Sequence, residues 1–67
     1  MNRRYVEART IKSIGWENGT LEVEYMNGSI YQYFDVSEED YIKSLLGAID
    51  TKIRRIGQSH RFSKISN

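Results

Sequence analysis

Two tyrosines one residue apart, Tyr31 and Tyr33, have the spacing best suited to recognition chemistry. On an extended strand, side chains at i and i+2 share a face, so the pair can form a platform on which unpaired bases stack or a protein partner docks. A second constellation lies further along: Arg54, Arg55, Arg61 and Lys64, with His60 between them, in a stretch from residue 52 onward that contains no acid. Such a run can contact phosphate, or it can be a solvated helix face and tail. Arg54 and Arg55 would point about 100° apart on a helix, a poor arrangement for a single clamp. Catalysis has less to stand on, because His60 is the sole histidine, cysteine is absent and no glycine-rich phosphate loop occurs. Ser37 before Glu38-Glu39-Asp40 reads as a helix cap rather than a nucleophile, and Asp35, Glu38 and Asp50 lack the alternating spacing of a calcium loop. No catalytic residue, cofactor or metal is expected.

The charges are unevenly placed. Residues 1–12 carry Arg3, Arg4, Arg9 and Lys12 against Glu7, residues 13–51 carry Lys43 against eight acids, and residues 52–67 carry five cations and no acid. Basic ends flank an acidic middle, which suggests either an anionic partner or ends that fold back on the acidic body.

Positioning these residues requires strands and a helix. Asn18-Gly19 and Asn27-Gly28 each suit a two-residue type I′ hairpin loop, where both central residues need positive φ. Loops of that length pair Trp16 with Leu21, Ile14 with Val23 and Lys12 with Tyr25, then Tyr25 with Ile30, Val23 with Gln32 and Leu21 with Phe34. The result is a three-stranded antiparallel meander over about residues 10–16, 20–26 and 29–35. Ile14, Trp16, Leu21, Val23, Tyr25, Ile30 and Phe34 form its buried face. Tyr31 and Tyr33 fall on the other face, opposite Glu24 and Glu22, where the acids would repel phosphate.

Ser37 starts a helix near residue 38, with Val36 stapling onto Tyr41 and a stripe of Tyr41, Ile42, Leu45, Leu46 and Ile49 packing on the sheet. Gly47 breaks or bends it, a second helical segment spans Ile49 to Ile56 with Gly57 as its C-cap, and His60–Ile65 can add a short fourth strand. The fold class is α+β: a three-stranded antiparallel β-meander packed on a C-terminal helical segment.

A chain of 67 residues permits one domain, here with a core over about residues 9–57 and basic termini at 1–8 and 58–67. It must rely on an efficient core, since it has no cysteine staples. Met1-Asn2-Arg3-Arg4 leads into no apolar run, so a secretory signal is not expected and a cytoplasmic location is.

The order of motifs resembles the KTSC family, a short module named for its occurrence at the C-terminus of some lysyl-tRNA synthetases and also found as small stand-alone bacterial and phage proteins. The resemblance runs through Ile11-Lys12-Ser13-Ile14-Gly15-Trp16, Leu21-Glu22-Val23-Glu24-Tyr25 and Asn27-Gly28-Ser29-Ile30-Tyr31-Gln32-Tyr33, where Tyr31-Gln32-Tyr33 matches a central Y-x-Y, and it ends in Val36 and the capped helix. Downstream, the family's Tyr-Phe-Asn-like stretch is replaced by Ala48-Ile49-Asp50 after Gly47, while Ile53-Arg54 matches an Ile-Arg pair. The resemblance implies RNA binding only through the synthetase context.

Two functions are therefore expected in order. The first is a non-enzymatic protein-interaction or regulatory module using the Tyr31/Tyr33 face or a sheet edge, through which it could also self-associate. The alternative is a nucleic-acid-binding accessory domain using Arg54, Arg55, Arg61 and Lys64. No membrane partner is expected.

Overall fold

The computed structural model describes residues 1–66; Asn67, at the end of the expected basic terminus, lies outside the described residues. The sheet is antiparallel throughout and its strands follow chain order: β1 (Arg4–Tyr5), β2 (Ile11–Glu17), β3 (Thr20–Tyr25), β4 (Ile30–Tyr33) and β5 (Phe62–Ser66). Two helices, α1 (Glu38–Ser44) and α2 (Ile49–Ser59), connect β4 to β5. The α+β class and the central meander are as expected, but five strands replace three. β1 is a two-residue strand without a hydrophobic period to betray it, and the segment expected as a fourth strand is the fifth.

The first hairpin forms as its sequence dictates. Asn18 and Gly19 take φ of 50° and 85°, the type I′ pattern, and Trp16 pairs with Leu21 and Ile14 with Val23. An irregularity between Ile11 and Ser13 then sets Ile11, rather than Lys12, opposite Tyr25.

The second hairpin does not. Gly28 has a φ of 92° but Asn27 is not in the left-handed region; the Asn27 side chain instead accepts a hydrogen bond from the Ser29 amide at 2.9 Å. The Gly28 amide donates to Tyr25 O at 3.0 Å and the Tyr25 amide to Ser29 O at 2.8 Å, so the loop is Met26-Asn27-Gly28, a type I turn followed by a left-handed glycine. One extra loop residue shifts the register by one and exchanges the faces of β4. Leu21 now opposes Tyr33, Val23 opposes Tyr31, Glu24 opposes Ile30 and Glu22 opposes Gln32. Tyr31 and Tyr33 therefore lie on the helix side of the sheet, not on the polar side, and Ile30 and Phe34 leave the core.

The core consists of Ile11, Ile14, Leu21, Val23, Tyr33, Val36 and Ile53. Trp16 packs at its margin, stacked on Tyr41 with centroids 6.1 Å apart, and its indole Nε1 donates to Val36 O at 2.8 Å. Ser37 caps α1 by accepting from the Asp40 amide at 3.1 Å. The helix ends at Ser44, three residues before Gly47 at φ 80°, and only three of the five residues of the expected apolar stripe are used. Tyr41, Leu45 and Ile49 pack on the core, whereas Ile42 and Leu46 stay 50% and 63% exposed.

In α2, Gly57 is an interior residue and not the C-cap, because it is where the helix crosses Tyr33: a Cβ there would lie 3.1 Å from Tyr33 Cε1. The helix ends instead at His60, whose Nδ1 bonds Phe34 O at 2.8 Å; a carbonyl can only accept, so Nδ1 carries the proton. Among the described residues no helix is long and apolar enough to cross a membrane.

Candidate functional site

The corrected register builds two side-chain rows on the helix face of the sheet. One runs Ile14, Val23, Tyr31, Lys64 and the other Trp16, Leu21, Tyr33, Phe62. α2 crosses the sheet at Tyr33 but leaves the β5 end of these rows exposed, and an open cleft of about 1100 Å³ remains between helix and sheet. Tyr25, Tyr31, Tyr33 and Phe62 line its sheet side; Arg9 and Thr10 contribute from the segment before β2, and Asp50, Ile53, Arg54 and Gly57 from α2.

The four rings form one cluster. Tyr31 and Tyr33 lie nearly parallel, 9° apart with centroids at 6.1 Å, while Tyr25 meets Tyr31 edge-on at 5.6 Å. Phe62 leans against Tyr31 at 5.7 Å and Tyr33 at 6.0 Å. The Tyr25 and Tyr33 hydroxyls are 2.7 Å apart. Burial is the main cause that pushes the Tyr25 phenol well above its ordinary value, and the bond to Tyr33 adds to it. Burial also raises Tyr33, against a smaller opposing effect of that bond. Both hydroxyls stay protonated at neutral pH, so they serve the cleft as hydrogen-bonding groups and not as bases.

Asp50 is the acid of this cleft, and it is already engaged. Its carboxylate accepts from the Thr10 hydroxyl at 2.5 Å and from the Thr10 and Arg9 amides at 2.9 and 3.1 Å. The Thr10 hydroxyl bond is the main cause that holds its pKa below the ordinary carboxylate value. A depressed folded-state pKa contributes stability above the unfolded value, which is lost as pH falls through the folded one. Asp50→Asn should therefore lower the unfolding temperature at pH 7, and the gap from the unmodified protein should begin to narrow below about pH 4 and vanish as pH falls through the lower folded-state value. A gap unchanged at low pH would show that the charge contributes nothing.

The expected basic residues separate. Lys64 Nζ sits 5.9 Å from the Tyr31 ring centroid, a cation–π contact, and Arg54 lines the same cleft. Arg55 lies instead in a groove between the helices with Lys43, Lys52 and His60, and Arg61 pairs with Asp35 at 3.3 Å on the surface.

On the opposite sheet face, Glu22 and Glu24 are occupied. Arg3 contacts them at 2.5 and 3.7 Å, Gln32 donates to Glu22 at 2.9 Å and the Ser13 hydroxyl to Glu24 at 2.9 Å. A basic end does fold back on the acidic body, at Arg3. Sequence reasoning kept Tyr31/Tyr33 and Arg54/Lys64 apart as rival sites; the structure brings Tyr31, Tyr33 and Arg54 to one cleft and sets Lys64 at its margin, over the Tyr31 ring. It missed Arg9 and Phe62; the signal for Phe62 was its i, i+2 spacing from Lys64 on a strand. Asp35, Glu38 and Asp50 do not converge, and no three-residue cluster of metal-ligating type occurs among the described residues.

A family model described as the KTSC domain matches residues 7–50, from the loop before β2 to the first turn of α2. The chain belongs to the KTSC domain family. No curated protein matches it at a significant level. Within the KTSC segment lie the cleft residues Arg9, Thr10, Tyr25, Tyr31, Tyr33 and Asp50. Ile53, Arg54, Gly57 and Phe62, and Lys64 over Tyr31, lie outside the matched residues, so part of the lining is supplied by the chain that follows the KTSC segment.

Proposed function

We propose that this KTSC protein is a small binding module without enzymatic activity, and that its cleft takes nucleic acid. The observation that carries the reading is the placement of Lys64 over the ring of Tyr31, which lines the same cleft as Arg54. Preference for a protein partner rested on acids facing the tyrosines, and those acids are on the other side of the sheet, engaged by Arg3, Gln32 and Ser13. Arg9 and Arg54 line the cleft with its aromatic rings, Lys64 sits over Tyr31, and the acid nearby, Asp50, has its oxygens taken by Thr10 and Arg9. Aromatic faces with flanking cations are the combination that holds bases and phosphates.

A sheet edge is a less suitable site. β1 offers two residues, and β5 carries Lys64 and an irregularity opposite Ile30 and Tyr31, features that blunt edge-to-edge pairing.

The reading is tested by anisotropy titrations of a labelled RNA between about 50 and 200 mM salt. Arg54→Gln and Lys64→Gln should each lower the slope of log affinity against log salt by about 0.7, the value for one contact to a single strand. Arg55→Gln and Arg61→Gln should leave it unchanged, since one points to the other side of α2 and the other is paired with Asp35. Equal slopes for all four variants would remove the cleft as the site, and no binding at the lowest salt would return the protein-interaction reading.

A further inference from the structure

We infer that Phe62 is the surface on which an unpaired base stacks, so that the cleft selects single-stranded nucleic acid over duplex; this rests on the nucleic-acid reading above. The aromatic rings are not equally available. Tyr33 is 7% exposed, and Tyr31 is half-buried with Lys64 over its ring. Phe62 is 57% exposed, although it leans on both tyrosines. An apolar ring held in place by two neighbours and open on its remaining surface is a preorganised stacking platform. Tyr31 and Tyr33 then act as positioning residues, fixing the tilt of Phe62 at 46° and 50° to their planes.

The charges beside it define what the occupant carries. Lys64 is two residues along the same strand and on the same face, and Arg54, on α2, lines the same cleft as Phe62. A nucleotide supplies both complements, a planar base for the ring and a phosphate for the cations. In a duplex the base faces are already stacked on their neighbours, so the ring cannot reach one without the cost of unstacking. A single strand offers its bases freely. Because Phe62 and Lys64 follow the KTSC segment, the selectivity belongs to β5 and not to the family portion of the chain.

The test compares an oligonucleotide of about eight residues, single-stranded, with the same sequence as a duplex, by anisotropy at low salt. Phe62→Leu keeps an apolar side chain on β5 but removes the aromatic face, and should weaken single-strand binding at least about fivefold. Phe62→Trp should retain or tighten it, and neither change should alter duplex binding. Thermal unfolding of each variant separates lost stacking from lost fold. If Phe62→Leu binds as tightly as the unmodified protein, or the duplex binds as well as the single strand, the inference is overturned while nucleic-acid binding stands. If neither form binds and an acidic, aromatic-rich peptide does, both the inference and the reading beneath it fall.

Discussion

Replacing Tyr33 by alanine should cost about 3–5 kcal/mol, the loss typical of truncating a buried aromatic side chain. For a domain of this size, whose total stability lies near the low end of about 5–15 kcal/mol, that is enough to leave a substantial unfolded fraction at room temperature. The ring is 7% exposed, lies under α2 against Gly57 and bonds the Tyr25 hydroxyl, so its removal opens a cavity and strands a partly buried phenol. Gly57 cannot fill the space, since it has no side chain to move in. Tyr31→Ala should cost far less, because Tyr31 is half-buried and borders the open cleft. Tyr33→Phe isolates the hydroxyl pair and should cost about 1 kcal/mol. Urea midpoints for the three variants check this order. Equal midpoints for Tyr33→Ala and Tyr31→Ala would contradict the three-residue loop, because only with the two-residue loop do both tyrosines face away from the helices.

That comparison turns on the point at which the sequence was hardest to read. The same dipeptide, Asn-Gly, closes both hairpins, yet Asn18 enters the left-handed region and Asn27 does not. At the second turn the Asn27 side chain instead accepts from the Ser29 amide. A strand pattern normally arbitrates such cases, since a one-residue slip would expose the apolar face. Here Ile30, Tyr31, Tyr33 and Phe34 place large apolar groups on both faces, so alternation does not choose between registers. The first hairpin, with Glu17 and Glu22 against Trp16 and Leu21, has no such ambiguity, and its pairing was legible from the turn as far as Ile14 and Val23, beyond which an irregularity sets Ile11 opposite Tyr25. Ser37 as a cap and the two-helix stretch after it were legible too, because their signals are local. The cleft was not, because it depends on which β4 face meets α2 and on a fifth strand that returns from more than 25 residues away.

Gly15→Val should release the N-terminal segment from the sheet and lower stability by about 1–3 kcal/mol, the range for forcing atoms into a packed site. Valine is the better strand former of the two, so at an open strand position the change would stabilise. Gly15 is not at an open position: a Cβ there would lie 2.5 Å from Asn2 O and 3.0 Å from Arg3 Cγ. The first of these is backbone, which no rotamer change can clear. The segment must lift, and with it go the pairs Arg4↔Ile14 and Tyr5↔Ser13 and the Arg3 contacts to Glu22 and Glu24. Those two carboxylates share a strand face, two residues apart, and lose their cation. Amide exchange locates the effect. The Val6 amide, which donates to Lys12 O at 3.1 Å, should lose protection, while the amides of the β2–β3 hairpin keep theirs. Removing residues 1–3 should make the same substitution neutral or stabilising, since the clash would then have no partner. Unchanged protection at Val6 would mean that the segment does not rest on Gly15. The cleft lies on the opposite face of the sheet, so oligonucleotide affinity should survive in the Gly15→Val protein, which separates the role of the basic N-terminal end from that of Arg54, Phe62 and Lys64.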